Sequence, residues 1–255
     1  YLLFKYSVSK IKYFDHVIAL SNQSKTDLIR YTGIDKDKIT VIYPNVENIF
    51  NQKKIDKIKI HNKYKIPKNK KKIIVFDTSF YKNYKFSLGI FSKLIKKNPN
   101  IILIKIGNFS KLQNDVNYKD KIYSYNYLTR FQMSEIYKIS DLLLTEASST
   151  IYEMLALEKP VIVNRFYRLK LSHKLFRYRL FRKRLSKEMN QDIANFCFEM
   201  DRAKDLPMMI EKALNENHNL LDVVKEYQYK MLYKLDGKAS ERVRDAILNR
   251  LNLRT

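Results

Sequence analysis

Short apolar segments of strand length alternate with helical segments from residue 72 onward. Between them, apolar residues recur three or four positions apart, as in residues 86–95. Continuous apolar strands that alternate with helices are typical of a parallel sheet covered by helices on both faces. The sequence therefore predicts the α/β class, with a parallel sheet flanked by helices. The predicted strands are residues 72–76, 101–106, 122–128, 141–145 and, as the last of the series, 160–163.

A smaller strand–helix–strand pattern precedes this series, in residues 15–46. The Lys- and Asn-rich residues 47–71 then separate the two patterns. We also expect the chain to be the rear part of a longer protein, because it opens without methionine. The predicted regions are 1–52, the C-terminal part of a preceding domain; 53–71, a linker; 72–218, the main α/β domain; and 219–255, C-terminal helices.

The chain is strongly basic. Fifty Lys and Arg against 26 Asp and Glu give a formal net charge of +24, which favours anionic partners. An A/T-rich genome also inflates lysine, so the diffuse part of this charge has two explanations. The one cysteine, Cys197, excludes an intrachain disulfide, and the four scattered histidines lack metal-ligand spacing. We therefore expect no metal site, and no apolar run reaches the roughly 18 residues of a membrane span.

The densest polar cluster at a predicted strand–helix junction is residues 145–153, TEASSTIYE. Ligands of parallel sheets bind beyond the carboxyl ends of the strands, where loops meet helix N-termini. Hydroxyl groups and free backbone amides at such a place favour a phosphate or diphosphate, and Glu153 can accept both hydroxyls of a ribose. Thr150-x-x-Glu153 is also the pattern of a capping box, which needs no ligand. Both interpretations stay open at this stage.

Four segments resemble, in order, the GT-B glycosyltransferases, and especially the large retaining family 4, or group 1. Residues 153–162, EMLALEKPVI, resemble its pattern E-A-M-A-x-G-x-P-V-I. The resemblance covers most of residues 14–215 and implies two Rossmann-like domains, of which residues 1–52 supply the end of the first, acceptor-side one. The other three segments are FDHVIALS at 14–21, KITVIYPNVE at 38–47, and YKN at 81–83 followed by a helix and the strand that ends at Gly107.

The resemblance also implies roles for individual residues. Glu153 would bind the ribose of the donor, and Lys82 would neutralise the leaving phosphate. Glu146 would contact the donor sugar, one position after Thr145, where the family pattern has its first glutamate. The substrate would be a nucleotide-diphosphate sugar, with no cofactor and no metal bound by the protein. The expected nucleotide-sugar site comprises Thr78, Lys82, Asn83, Ala147, Ser148, Ser149, Thr150 and Glu153, with Glu146 and Lys82 as the catalytic residues.

Two features resemble other relatives of the same fold. Ser-Ser-Thr-x-x-Glu at 148–153 is closer to CDP-glycerol glycerophosphotransferases and UDP-N-acetylglucosamine epimerases, and DGKASER at 236–242 resembles the ending of those relatives. The sequence also departs from the family pattern where Glu158 and Lys159 replace its glycine region before Pro160. An epimerase or glycerophosphotransferase is therefore the alternative enzyme.

Residues 165–187, from Arg165 to Lys187, form a basic segment that supplies ten positive charges and no acid. Aromatic and leucine residues recur between the charges at helical spacing, which favours an anionic membrane surface. RNA binding and a solvated helix on the sheet are the other interpretations, and nucleic acid is the less favoured partner.

We therefore predict a glycosyltransferase that moves a sugar, with retention, onto a polysaccharide or lipid-linked acceptor. The predicted location is the cytoplasm, at the cytoplasmic face of the membrane if the basic segment binds lipid. The alternative of another class is a non-catalytic basic module that binds RNA or membrane.

Overall fold

A computed structural model describes residues 6, 8–44, 46, 55–77, 94–95, 98–107, 120–146, 148–165 and 187–252. Residue contacts divide the chain into two compact units, Tyr1–Asn48 with Tyr229–Thr255, and Ile49–Gln228. The sequence does not predict that residues 229–255 group with the beginning of the chain. The predicted boundaries at 52, 71 and 218 stay predictions.

The described elements follow the alternation that the sequence predicts. The strands are β1 (Val17–Ala19), β2 (Ile39–Val41), β3 (Lys71–Asp77), β4 (Ile101–Gly107), β5 (Ile122–Tyr125), β6 (Leu142–Thr145), β7 (Val161–Asn164) and β8 (Phe198–Met200). The α-helices are α1 (Asn22–Thr32), α2 (Lys57–Tyr64), α3 (Arg130–Ile139), α4 (Thr150–Ala156), α5 (Lys187–Phe196), α6 (Leu206–Glu216), α7 (Leu221–Leu232) and α8 (Ala239–Asn252). No helix within the described ranges combines the length and the hydropathy that a membrane crossing requires.

The smaller unit contains a parallel pair of strands, with Val17 opposite Ile39. Helix α1 connects them; the Ser21 hydroxyl accepts a hydrogen bond from the Ser24 amide at 3.0 Å and caps its N-terminus. The helix ends at Gly33, whose φ of 69° is a left-handed conformation that glycine adopts without strain. Ala19, Ile34 and Ile39 form a small buried core. This unit has the predicted strand–helix–strand order.

The larger unit contains a six-stranded sheet in the order β5-β4-β3-β6-β7-β8, and every pair in it is parallel. Its centre is dry because β4, β6 and β7 are buried along their whole length. Burial on both faces is what a parallel sheet flanked by helices requires. The predicted fold class is confirmed.

The sequence predicts residues 160–163 as the last strand, but the structure has one more, β8. Strand β8 pairs with β7, with Phe198 opposite Ile162. It has only three residues, and its middle residue, Glu199, is exposed. A pattern this short and amphipathic gives no periodic signal, so it was missed.

Strand β4 also differs from the apolar run that was predicted. Lys105 lies within it and is only 1% exposed. Lys72 on the neighbouring β3 is likewise buried, and its ammonium lies 3.3 Å from the Asp141 carboxylate. Buried lysines need such partners because burial of an uncompensated charge is costly.

Helix α4 ends in a Schellman motif. The amide of Glu158 donates to the carbonyl of Leu155 and that of Lys159 to the carbonyl of Met154, both at 3.1 Å. Glu158 takes the left-handed position of this motif, with a φ of 56°. Glycine is the usual residue there because a Cβ atom strains this conformation. The departure from the family pattern at 158 therefore places strain at the end of α4.

We expect Glu158→Gly to stabilise the protein by about 1 kcal/mol, because relief of this strain exceeds the entropy that glycine adds to the unfolded chain. Chemical denaturation measures the change. Glu158→Ala is the control, since it removes the carboxylate but keeps Cβ, and we expect it to leave stability nearly unchanged. If both variants gained the same stability, the effect would come from loss of the carboxylate, and backbone strain at residue 158 would not be its cause.

Candidate functional site

Buried polar side chains mark the carboxyl edge of the large sheet. Thr145 ends β6, Glu146 follows it, and Asn164 ends the adjacent β7. All three residues are buried, although the sheet interior around them is apolar. Strands of a parallel sheet present their carboxyl ends on one side, where ligands of this fold class bind. The polar cluster that the sequence singled out therefore begins at this edge.

The hydroxyl of Thr145 is buried, and within the described part of the chain it has no hydrogen-bond partner. An unpaired buried hydroxyl costs about 1–3 kcal/mol. Such a group is more readily explained by a ligand or water that bonds to it than by packing alone. Thr145 opens the polar cluster that the sequence predicts as a ligand site, but it is not among the residues predicted to bind the nucleotide sugar.

The connection from β6 to α4 presents three hydroxyl groups in succession. The Thr150 hydroxyl donates to the Ser148 hydroxyl at 3.1 Å. Ser149 is exposed and is the N-cap residue of α4, but its side chain makes no capping hydrogen bond. The amides of Ile151 and Tyr152 are satisfied by the Ser148 and Ser149 carbonyls. The Ser148 hydroxyl accepts a hydrogen bond from the Thr150 amide at 3.5 Å, whereas the Ser149 hydroxyl takes no part in capping α4.

The capping box from Thr150 to Glu153 does not form. The N-cap is Ser149, so Thr150 already lies in the first turn of α4. The Glu153 carboxylate instead accepts a hydrogen bond from the Arg130 guanidinium, with 2.8 Å between Oε1 and Nη1. The interpretation of this pattern as a self-contained cap is wrong, and the glutamate faces helix α3.

Glu153 lies between an exposed cation and a buried phenol. The Glu153 side chain is 14% exposed and that of Arg130 57% exposed. Tyr137, also on α3, is fully buried, and burial together with the nearby Glu153 carboxylate raises its pKa well above the usual range. The site thus holds a mostly buried carboxylate in the first turn of α4, directly after the three hydroxyl groups of the β6–α4 connection.

Sequence reasoning missed Arg130 and Tyr137. A weak signal existed for Arg130, because it is the first residue of α3, where the helix dipole disfavours a cation. Thr129 and Gln132 already cap this helix with a complete capping box, so Arg130 is not needed for that purpose. Its position 23 residues before its partner made the pair invisible to local pattern analysis.

Lys159 anchors the other end of α3. Its ammonium donates to the carbonyl oxygens of Tyr137, Lys138 and Ser140 at 2.7, 2.7 and 2.5 Å. The Tyr137 carbonyl also accepts a hydrogen bond from the Ser140 amide at 3.3 Å, and the lysine supplies a donor to the Lys138 and Ser140 carbonyls at the end of the helix. Glu153 and Lys159, which flank the end of α4, therefore both bind α3.

The structure places five predicted site residues along one connection and helix: Glu146, Ser148, Ser149, Thr150 and Glu153. The remaining predicted residues, Thr78, Lys82, Asn83 and Ala147, lie outside the described residues, as does most of the basic segment 165–187. Their roles stay predictions.

The segment 236–242 closes on itself in the smaller unit. The Asp236 carboxylate accepts hydrogen bonds from the Lys238 amide at 3.0 Å and from the Arg242 guanidinium at 2.6 Å. The Lys238 amide and the Arg242 guanidinium lower the pKa of Asp236. Gly237, with a φ of 70°, allows the tight turn between them. The first and last residues of the motif thus fix the start of α8.

Comparison with known proteins agrees with the residue patterns. Residues 56–170 match the family described as glycosyl transferases group 1. The teichoic acid poly(ribitol-phosphate) polymerase of Bacillus spizizenii is 26% identical over 243 residues, which is 91% of this chain and 37% of that protein.

Solved structures show the same fold. The match to the wall teichoic acid polymerase TagF, in a crystal soaked with CDPG, has a TM-score of 0.62 at 18% identity and covers 99% of this chain and 61% of the TagF chain. A glycosyltransferase from Rickettsia africae has a TM-score of 0.54 at 19% identity, covering 95% and 65%. HepE of Anabaena, in complex with UDP, has a TM-score of 0.53 at 14% identity, covering 92% and 64%.

The chain spans about 37% of the curated relative that it matches and 61–65% of these solved chains. The similarity shows the fold of GT-B glycosyltransferases. The predicted resemblance to this group is confirmed.

Proposed function

We propose that this chain, which carries a group 1 glycosyltransferase domain at residues 56–170, is the donor-binding part of a transferase that uses a nucleotide-diphosphate donor. The observation that carries the proposal is the Glu153 carboxylate, which is mostly buried, ion-paired, and in the first turn of the helix that follows the three hydroxyl groups of the β6–α4 connection. Carboxylates accept the paired hydroxyls of a ribose, and hydroxyl donors suit diphosphate oxygens.

In this proposal the nucleotide lies along the carboxyl edge of the large sheet. The ribose hydroxyls donate to Glu153, and the diphosphate accepts hydrogen bonds from Ser148 and Ser149. Thr145, whose buried hydroxyl is unpaired within the described residues, donates to the same ligand. Lys82 balances the charge that develops on the leaving phosphate, and Glu146 contacts the transferred group.

For sugar transfer, the bond between the anomeric carbon and the diphosphate oxygen breaks, and the nucleoside diphosphate leaves. The hydroxyl of a polysaccharide or lipid-linked acceptor forms the new bond to that carbon and loses its proton. We propose retention of configuration, no protein-bound metal, and a place at the cytoplasmic face of the membrane to which residues 165–187 bind through their ten positive charges.

A second candidate function is transfer of a polyol phosphate from a CDP-activated donor. It is favoured by the similarity to the teichoic acid polymerase, which extends over 91% of the chain, whereas the group 1 family match covers residues 56–170. Here the acceptor hydroxyl attacks phosphorus, the bond within the diphosphate breaks, and CMP leaves. The same edge of the sheet binds the nucleotide in both reactions.

The nucleotide that is released distinguishes the two reactions. The whole natural protein is incubated with UDP-glucose, UDP-N-acetylglucosamine, GDP-mannose or CDP-glycerol and with acceptor-containing membranes, and the nucleotides are separated by anion-exchange chromatography. Sugar transfer releases UDP or GDP, and polyol-phosphate transfer releases CMP. A boiled enzyme and a reaction without membranes are the controls.

Release of UDP or GDP that depends on the acceptor supports the first function, and release of CMP supports the second. Conversion of UDP-N-acetylglucosamine to its epimer without any acceptor would instead identify an epimerase. If calorimetry detects no binding of any nucleoside diphosphate, the chain is not a donor-binding domain and both candidates fail.

A further inference from the structure

We propose that Arg130 is a positioning residue for the donor, acting through Glu153 to select ribose over deoxyribose. This inference rests on the proposed function, because it assigns a further residue to the same nucleotide site. Its starting point is the 2.8 Å hydrogen bond from the Arg130 guanidinium to Glu153 Oε1. Neither the motif at residues 145–153 nor the family resemblance singled out this arginine.

The carboxylate of Glu153 has room for both Arg130 and a ribose. A carboxylate offers about four lone-pair positions to hydrogen-bond donors. Arg130 occupies one of them on Oε1, and the Tyr137 phenol donates to the same carboxylate, which leaves about two positions. Two ribose hydroxyls can therefore be accepted while Arg130 stays in place, so Arg130 orients the acceptor atoms and does not block them.

Arg130 is poorly explained as a stabilising residue. Its side chain is 57% exposed, and ion pairs with an exposed partner contribute little to stability. Its charge also lies at the N-terminus of α3, where the helix dipole opposes a cation. Its ion pair with Glu153 reaches a carboxylate that is only 14% exposed, where a charged hydrogen bond acts on the orientation of the acceptor more than on stability.

Helix α3 holds Arg130 in place from its far end. Lys159 binds three carbonyl oxygens at the C-terminus of α3, and Ser134, in the middle of the helix, is only 1% exposed. A helix fixed at these points gives the backbone of Arg130 little freedom relative to α4. A well-placed guanidinium limits the rotamers of Glu153, and this lowers the entropy cost of binding the ribose.

Isothermal titration of the whole natural protein tests the inference. The probes are ADP, CDP, GDP and UDP, each paired with its 2′-deoxy form. We expect wild type to bind its preferred ribonucleotide about tenfold more tightly than the deoxy form, since one hydrogen bond to a charged group is lost. Arg130→Ala should reduce this ratio to about twofold, and it should weaken binding of the ribonucleotide more than binding of the deoxy form, which keeps one hydroxyl contact with Glu153.

Two further variants make the result specific. Arg130→Lys should restore part of the ratio, because it returns a cation without the planar guanidinium. In a Glu153→Ala background, Arg130→Ala should change nothing more, because the arginine acts through that carboxylate. Thermal unfolding of each variant shows whether the protein is folded.

Lys63→Ala is the matched control. The Lys63 ammonium lies 2.6 Å from the Glu135 carboxylate, with side chains 41% and 14% exposed. This comparable ion pair contacts α3 through Glu135 and does not involve Glu153. This variant should keep the wild-type ratio. If it lowers the ratio as Arg130→Ala does, the effect is a general loosening of α3 and the inference is overturned.

The outcomes separate this inference from the proposed function. A wild-type protein that prefers ribonucleotides, with an unchanged ratio in Arg130→Ala, overturns the role of Arg130 and leaves the nucleotide site intact. A wild-type protein that binds none of the eight nucleotides overturns the proposed function and the inference with it.

Discussion

Glu153→Ala is expected to weaken binding of the preferred nucleoside diphosphate about 100-fold. The variant removes both charge-assisted hydrogen bonds that the ribose hydroxyls are proposed to make, and each contributes about 1.5 kcal/mol or more. Glu153→Gln keeps one acceptor oxygen without the charge, so it should lose about tenfold. Isothermal titration with the nucleoside diphosphate that wild type prefers measures both changes.

Glu135→Gln provides the control for this prediction. Glu135 lies in α3, its side chain is 14% exposed like that of Glu153, and it accepts hydrogen bonds from Lys63 and Tyr64 at 2.6 Å. Its neutralisation should lower stability slightly but leave nucleotide affinity as in wild type. Wild-type affinity in Glu153→Ala would remove the ribose contact from the site, and with it the observation on which the donor-binding proposal depends.

The fold was predictable from the sequence where apolar runs are long and continuous. Strands β3, β4, β6 and β7 each lie within two residues of their predicted bounds, because burial on both faces leaves an uninterrupted apolar signal. Strand β8 was missed since three residues carry too little pattern. The sequence did not predict that Lys105 is buried, because its burial depends on its surroundings in the fold and not on its neighbours in sequence.

The site was predictable only where its residues are consecutive. Residues 145–153 stand out as a run of polar residues after a buried strand, and the structure places them at the carboxyl edge. Arg130 binds Glu153, which lies 23 positions later in the sequence. Lys159 binds carbonyl oxygens of α3 and its C-cap that lie 19 to 22 positions earlier. Such contacts depend on how α3 packs, which no local pattern encodes.

Lys159 was noticed in the sequence only as a departure from the family pattern, and its contacts explain what it does. A lysine with three donors meets three carbonyl oxygens, those of Tyr137, Lys138 and Ser140. In this chain, the end of α3 is therefore stabilised by a side chain from the loop after α4.

Lys159→Met is expected to destabilise the protein by about 3 kcal/mol at pH 7. Methionine preserves most of the packing of the lysine stem but removes the ammonium donor from the Lys138 and Ser140 carbonyls, and each unpaired buried group costs about 1–3 kcal/mol. Chemical denaturation measures the loss. Lys212→Met on α6 is the control, because Lys212 is exposed and such changes stay within about 0.5 kcal/mol.

The loss should grow with pH. Burial lowers the pKa of Lys159 to about 7, and Asp141 opposes this change only in part. The unfolded chain keeps the proton up to about pH 10.4. Between these values the unfolded state binds more protons than the folded state, so stability of the wild type rises with pH, while Lys159→Met lacks this contribution. From pH 7 to pH 9 the difference between the two should increase by about 2 kcal/mol. A difference that stays constant over this range would show that the three carbonyls keep the ammonium charged in the folded protein.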